Sequence, residues 1–341
     1  MKNQYVSQLS SGDKVKDVFG VYEVNLARFT KPNRTGDQYL RLLLGDRTGI
    51  IEGRIWDTQA ALDIVRDVRV DDLVMISGTV QEFNGLQINI NTCRKVDRVA
   101  TDMENFRPQS EKSILDMWKG LDHLTDRITG EHWRRLIREI WSADFKKMFQ
   151  GAPAGRQVHH NYGGGLLEHT LEVMIYCEQV IETQGEAIDS DTLLMGALVH
   201  DIGKVEEYDA KSLTFQLTEK GKLLGGHIIL GRDMVQAWMK RIRPFPDEAA
   251  AKLEHMILSH HGIPEWGSPV EPKIIEAIAL HHADLLSARV NQAYKVISQA
   301  VQPDQRWSPY DKFLGRSLLV PTANASDREC DGLITQGGEE E

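Results

Sequence analysis

Apolar and polar positions alternate through the first part of the chain. The segments "KVKDVFGVYEVNLARF", "QYLRLLLGD", "IIEGRIW", "DLVMISGTVQEF" and "LQINI" fall between Lys14 and Ile90, are rich in Val, Ile, Leu, Phe and Tyr, and predict strands. Asn84-Gly85 separates the last two and is a hairpin signal. Between the third and fourth strands, "DTQAALDIVRDV" has the spacing of a short helix. From residue 113 the period changes: "SILDMWKGLDHL" and "EHWRRLIREIWSADFKKMF" repeat apolar residues every three or four positions. That helical pattern continues to about residue 300, with glycine and proline marking the turns.

Three strands, a helix and a final hairpin are the order of an OB-fold barrel. The expected organisation is therefore a multidomain α and β chain. An N-terminal β-barrel of the OB-fold type occupies residues 1–100, a linker 101–112 and an all-helical domain 113–303. Residues 304–341 lose periodicity and are expected to form a mobile tail. Barrels of this type bind single strands by stacking bases on exposed aromatics, for which Phe29, Tyr39, Trp56 and Phe83 are the candidates. Barrel core is the competing role for each of them.

A length of 341 residues favours two domains over one core. No apolar run approaches the roughly 20 residues that span a bilayer, and "MKNQYVSQLSSGDKV" lacks the apolar centre of a signal peptide. Cys93, Cys177 and Cys330 are too few and too scattered for a disulfide framework or a thiolate zinc site, which fits a reducing, cytoplasmic setting. The net charge of −10 removes the easy argument for a nucleic-acid partner. It does not exclude one, because residues 1–100 hold 14 basic and 13 acidic side chains and the acidic excess lies beyond them. There it is compatible with bound divalent cations.

The helical region contains the chemistry. His169 lies in "GLLEHTLEV", His200 and Asp201 in "ALVHDIGK", His227 in "LLGGHIILG", His260 and His261 in "LSHHG", and Asp284 in "LHHADLL". A single histidine on an apolar face is more often a hydrogen-bonded core residue than a ligand. Seven such groups among helices are different, since each one buried without a partner costs about 1–3 kcal/mol. Imidazole and carboxylate together suit Mn, Fe, Co, Ni or Zn. Seven ligands exceed the needs of one ion and fit two ions bridged by a carboxylate, an arrangement that hydrolyses phosphate esters. His255, five residues before His260, falls off the ligand face, and His281 and His282 are at most neighbours of the site.

With these residues in place, the chain resembles the HD-domain phosphohydrolases through His169, His200-Asp201 and Asp284, and their two-metal branch through His227, His260 and His261. More narrowly, it resembles the YhaM-like 3′→5′ exoribonucleases, which join an OB-fold to an HD domain. The matching stretches are "HHNYGGGLLEHTLEV", "ALVHDIGKVEEY", "LTEKGKLLGGHIILG" and "LSHHGIPEWGSPVEPKIIEAIALHHADLL", and the resemblance covers about residues 13 to 300. Two departures are an additional glycine in "LLGGH" and His282 in "LHHAD". The resemblance implies that His169, His200, Asp201 and Asp284 hold one ion and Asp201, His227, His260 and His261 the other, with manganese the foremost metal and cobalt, iron, nickel or zinc as alternatives. It assigns catalysis to Asp201, and Lys204, one turn past His200, is placed to reach a phosphate oxygen, with a surface pair to Glu206 or Glu207 as its competing role. His159, His160 and Tyr162, beside the triple glycine, are candidates for contact with the substrate. The implied reaction is metal-dependent removal of 5′-mononucleotides from the 3′ end of single-stranded RNA, with single-stranded DNA as a further substrate and no membrane partner. A nucleotide or cyclic-nucleotide phosphohydrolase and a non-catalytic single-strand-binding protein are the alternatives. A homo-oligomer is compatible with all three.

Overall fold

The computed structural model describes residues 2–29, 34, 36–83, 85–97, 105–155, 160–298 and 306–321. Asn84 of the hairpin turn, His159, part of the expected linker and residues 322–341 of the expected tail lie outside the described residues. The chain divides into two compact units, residues 1–288 and 289–341.

The first unit begins with a closed five-stranded barrel in the order β1-β2-β3-β5-β4. Its strands are β1 (Lys14–Arg28), β2 (Gln38–Asp46), β3 (Gly49–Ile55), β4 (Leu73–Glu82) and β5 (Leu86–Val96), and helix α1 (Thr58–Asp67) lies between β3 and β4. Strand β1 closes the barrel by serving two neighbours. Its first half runs antiparallel to β4, from Lys14↔Thr79 to Gly20↔Leu73. Its second half runs antiparallel to β2, from Gly20↔Gly45 to Arg28↔Gln38, past a bulge between Val21 and Glu23. Strands β3 and β5 are parallel. Alternation delivers Leu40, Leu42 and Leu44 of β2 to the interior with Phe19, Ile51, Ile76 and Ile88. It leaves Tyr39 and Arg41 on the outer face.

Helices α2 (Ile114–Asp126), α3 (Glu131–Ile140), α4 (Ala143–Gly151), α5 (Gly165–Gln184), α6 (Ser190–Val199), α7 (Lys204–Glu207), α8 (Glu219–Leu223), α9 (Gly226–Met239), α10 (Asp247–Ser259) and α11 (Ile275–Ser298) follow. Several start on side-chain caps: Ser113, Ser142 and Asp189 each accept from a main-chain N–H of the first turn. Together α2 to α11 enclose one apolar core that includes Leu121, Leu136, Phe149, Leu166, Leu198, Leu253 and Leu280. None of the helices among the described residues is long and apolar enough to cross a membrane.

A small third core joins barrel and helices. Leu73, Phe106 and Leu213 pack together with Val18, Tyr22 and Val96 against them. The Tyr22 hydroxyl donates to the Phe106 carbonyl at 2.6 Å, and Asp71 accepts from both the N–H and the hydroxyl of Thr214 at 2.9 Å. Gly20 permits this approach, because a Cβ there would stand 2.9 Å from Leu213 Cδ1. Leu213 and Thr214 belong to the segment between α7 and α8, so the chain that leaves Lys204 touches the barrel before it returns to His227.

In the second unit, Trp307 bridges to Leu319 and Asp311 to Arg316. The Asp311 carboxylate accepts from Gln292 Nε2 at 2.8 Å, and the Phe313 carbonyl accepts from Arg289.

Candidate metal centre

Helix ends aim the histidines. The last carbonyls of a helix lack intrahelical partners, and a side-chain N–H one residue on can satisfy one. His200 follows α6 and its Nδ1 lies 2.8 Å from the Ala197 carbonyl; His260 follows α10 and its Nδ1 lies 2.8 Å from the Ile257 carbonyl. Each ring is thereby held by one nitrogen, with the other directed off the helix end. His227 sits in the first turn of α9, after Gly225 and Gly226, both with positive φ, and its Nδ1 meets Glu207 Oε2 at 3.1 Å. Gly203 lets α9 come close: a Cβ there would be 2.0 Å from the His227 carbonyl oxygen. His261 Nδ1 meets the Trp266 carbonyl at 2.8 Å, and His169 Nδ1, on α5, meets Ser287 Oγ at 2.9 Å.

The other six sequence candidates gather around Asp201, which is 2% exposed. Its two oxygens face different groups. Oδ2 lies 3.4 Å from His169 Nε2 and 3.3 Å from His200 Nε2. Oδ1 lies 3.4 Å from His227 Nε2 and 3.6 Å from His260 Nε2. The Asp284 carboxylate stands on the first side, 3.1 Å from His169 Nε2. Lys204 Nζ reaches Asp201 Oδ2 at 2.5 Å. Two clusters of ligand atoms result, His169–His200–Asp201 and His227–His260–His261, each with its atoms within 4.8 Å of one another.

The donor chemistry fits divalent cations. Acceptors on the Nδ1 side assign the ring proton to Nδ1 in His200, His227, His260 and His261, which leaves a lone pair on each Nε2. Asp201 Oδ1, His227 Nε2 and His260 Nε2 are buried without a hydrogen-bond partner among the described residues. His169 Nε2 and His200 Nε2 face each other at 3.3 Å, a contact that needs either a proton on one of them or a cation between the two lone pairs. Burial works against the charged form of His169, but Asp201 and Asp284 outweigh it and push that ring up to about 9. The carboxylates thus demand positive charge there, which a cation meets as well as a proton does. Burial would raise the Asp201 carboxyl, yet Lys204 and His200 hold it well below the usual carboxylate range. Burial lowers His260, and lowers His261 to about 3 with His260 and His227 adding to the effect, so both rings are neutral and able to donate to a metal.

His160 and Tyr162 lie behind His169. The His160 ring is 5.5 Å from that of His169, and the residue is 1% exposed. Its Nδ1 contacts the Tyr162 hydroxyl at 2.8 Å, which donates to Glu168 Oε2 at 3.0 Å. His255 accepts from the Lys273 N–H, His281 Nδ1 braces the His260 carbonyl at 2.8 Å, and His282 is exposed. Sequence reasoning missed Glu172, Ser287 and Glu207. Their one available signal was helical spacing, since Glu172 follows His169, and Ser287 follows Asp284, by three residues on a shared face.

On the barrel, Phe29, Tyr39 and Trp56 form one half-buried cluster with ring centroids 4.9 to 5.8 Å apart. The Arg34 guanidinium covers Phe29 at 3.6 Å. Arg54 lies 5.3 Å from the Trp56 ring and 6.0 Å from that of Phe83, which is 61% exposed.

Comparison with known proteins agrees with both halves. Residues 166–289 match the HD domain, and residues 23–96 match the OB-fold nucleic acid binding domain. The 3′-5′ exoribonuclease YhaM of Shouchella clausii is 30% identical over 286 residues, covering 83% of this chain and 87% of that protein. YhaM of Bacillus licheniformis is 27% identical over 84% of this chain and 89% of its own length, and YhaM of Bacillus subtilis 26% over 84% and 90%. A barrel and an HD helical domain in one chain, with similarity running through nearly the whole of these relatives, place the protein in the YhaM family of 3′-5′ exoribonucleases.

Proposed function

We propose that the protein is a metal-dependent 3′-5′ exoribonuclease that holds two divalent ions on either side of Asp201. The observation that supports this best is the division of labour within one carboxylate. Asp201 Oδ2 faces His169 and His200, with Asp284 beside them, and Oδ1 faces His227 and His260, with His261 beside them. When bound, divalent ions at these two positions supply Lewis-acid activation of the phosphodiester and of the attacking water. Manganese is the metal we favour, with cobalt, iron, nickel and zinc as alternatives that the mixed imidazole and carboxylate donors also accept.

The chain's own residues do the rest. Lys204 holds Asp201 in orientation and has further N–H donors for a phosphate oxygen as charge develops on it. His227 is kept facing inward by Glu207. His160, which is covered, acts through the network behind His169, and half-buried Tyr162 joins that network through its hydroxyl. The cluster of Phe29, Tyr39 and Trp56, with Arg34 and Arg54, stacks bases and neutralises phosphates of the incoming single strand. RNA is the substrate we assign, with single-stranded DNA as a lesser one, and the cytoplasm is the setting in which free Cys93 and Cys177 persist.

The test is a ladder from a 5′-labelled RNA carrying a 3′ overhang beside a hairpin. Stepwise shortening from the 3′ end is expected, with a stall a few nucleotides before the stem. No nucleotide-hydrolysing motor motif of the form G-x-x-x-x-G-K-[ST] occurs in the sequence to drive unwinding. Early internal cuts, or steady progress through the stem, would contradict the proposal.

A further inference from the structure

Five imidazoles face Asp201 and its neighbours, and four of them are oriented by groups that can only accept a proton. His200, His260 and His261 meet main-chain carbonyls, and His227 meets a carboxylate. His169 alone is held by a hydroxyl, Ser287 Oγ at 2.9 Å. A hydroxyl both donates and accepts, so by itself it fixes neither tautomer of the ring.

The second partner of Ser287 settles the direction. Ser287 Oγ lies 2.8 Å from Glu172 Oε2, which accepts the hydroxyl's one proton. The oxygen is then left to accept from His169 Nδ1–H, and His169 presents a lone pair at Nε2 toward Asp201 and Asp284. Glu172 is itself held as a carboxylate. Lys112 Nζ, 3.0 Å from its Oε1, supplies the opposing charge. Glu172 and Ser287 lie one turn beyond His169 and Asp284 on α5 and α11, so each helix supplies a ligand candidate and part of the device that sets it.

We propose that Glu172 and Ser287 are positioning residues that lock His169 in its metal-donating tautomer. This rests on the two-ion reading above. An isosteric change exposes the mechanism. In Glu172→Gln one side of the carboxamide must present N–H donors. Turned to Ser287, they reverse the hydroxyl, whose proton then goes to His169 Nδ1 and displaces the ring proton to Nε2. Turned to Lys112, they oppose an ammonium group.

The experiment titrates full-length, metal-free protein with Mn2+ by isothermal calorimetry and records the melting temperature without metal. Wild type is expected to bind two ions. Ser287→Ala should weaken one of them about 10- to 100-fold, the usual effect of removing a partner that orients a ligand. The other ion's affinity should stay unchanged, while the metal-free melting temperature falls by a few degrees because the buried His169 Nδ1–H loses its acceptor. Ser287→Thr, which keeps the hydroxyl, should restore binding, and Glu172→Gln should reproduce the Ser287→Ala loss without changing side-chain volume. Should Ser287→Ala not fold, Glu172→Gln decides alone. Two ions bound with wild-type affinity in both Ser287→Ala and Glu172→Gln would overturn the inference while leaving the two-ion reading intact. So would equal weakening of both ions, which marks a general structural role. Absence of Mn2+ binding by wild type would overturn the two-ion reading itself.

Discussion

The barrel and the helical domain both bury charge, but they satisfy it to different degrees from within the chain. At the barrel's end Lys2 meets Asp46 at 3.2 Å, and the Asp46 carboxylate also accepts from the N–H groups of Val6 and Thr48 at 2.9 Å. Asp17 likewise accepts from the N–H groups of Asn3 and Gln4. In the helical domain Asp201 Oδ1, His227 Nε2 and His260 Nε2 are equally enclosed and have no hydrogen-bond partner among the described residues. Each unsatisfied buried group costs about 1–3 kcal/mol. The buried carboxylates of the barrel are thus met by the chain's own donors, whereas the helical domain gathers enclosed imidazole and carboxylate atoms that a cation can satisfy.

Removing the shared carboxylate should break this contrast most completely. Asp201→Ala is expected to bring hydrolysis below detection and metal content down with it, while affinity for a single strand stays near wild type. Elemental analysis and filter binding on the same preparation check both halves. Lys204→Met should follow, with kcat reduced about 10²- to 10³-fold, as for loss of a single donor to a developing oxyanion. Its bound metal should be retained, which separates it from Asp201→Ala in the same assays. Stripping the ions with a chelator should come next, lowering stability by about 2.7 kcal/mol for each ion present at a hundred times its Kd. Hydrogen exchange should place that loss in α5, α6, α9 and α10, with β1 to β5 protected as before. The smallest effect belongs to the barrel's outer face. Trp56→Ala should weaken oligonucleotide binding by about 1–3 kcal/mol and leave hydrolysis of a small chromogenic phosphodiester unchanged. A point variant serves better here than excision of the barrel, because excision would uncover Leu213 and remove Asp71 from Thr214.

The two regions also differ in how far they could be read in advance. Alternation announces the barrel because one face of each strand is buried, and the ligand candidates stand out because histidine is uncommon within apolar helical segments. The aromatics were readable only as separate candidates. Pairing of β2 with β1 and β3, which sets Ala27 against Tyr39 and Leu40 against Ile55, is what gathers Phe29, Tyr39 and Trp56. Glu172, Ser287 and Glu207 were not legible, since serine and glutamate are ordinary on polar helix faces and only distance reveals their partners. His160 was legible only by its place beside the triple glycine. Its neighbours in sequence place it near the site, but its positive φ of 44° turns it inward onto Glu172 and Tyr162.

One carboxylate between two cations is the feature on which the proposed chemistry of the helical domain depends. Anomalous diffraction from crystals grown with Mn2+ addresses it directly. Two peaks about 3.5–4 Å apart are expected, one against Asp201 Oδ2 with His169, His200 and Asp284, the other against Oδ1 with His227, His260 and His261. A single peak, or peaks on only one side of Asp201, would contradict it.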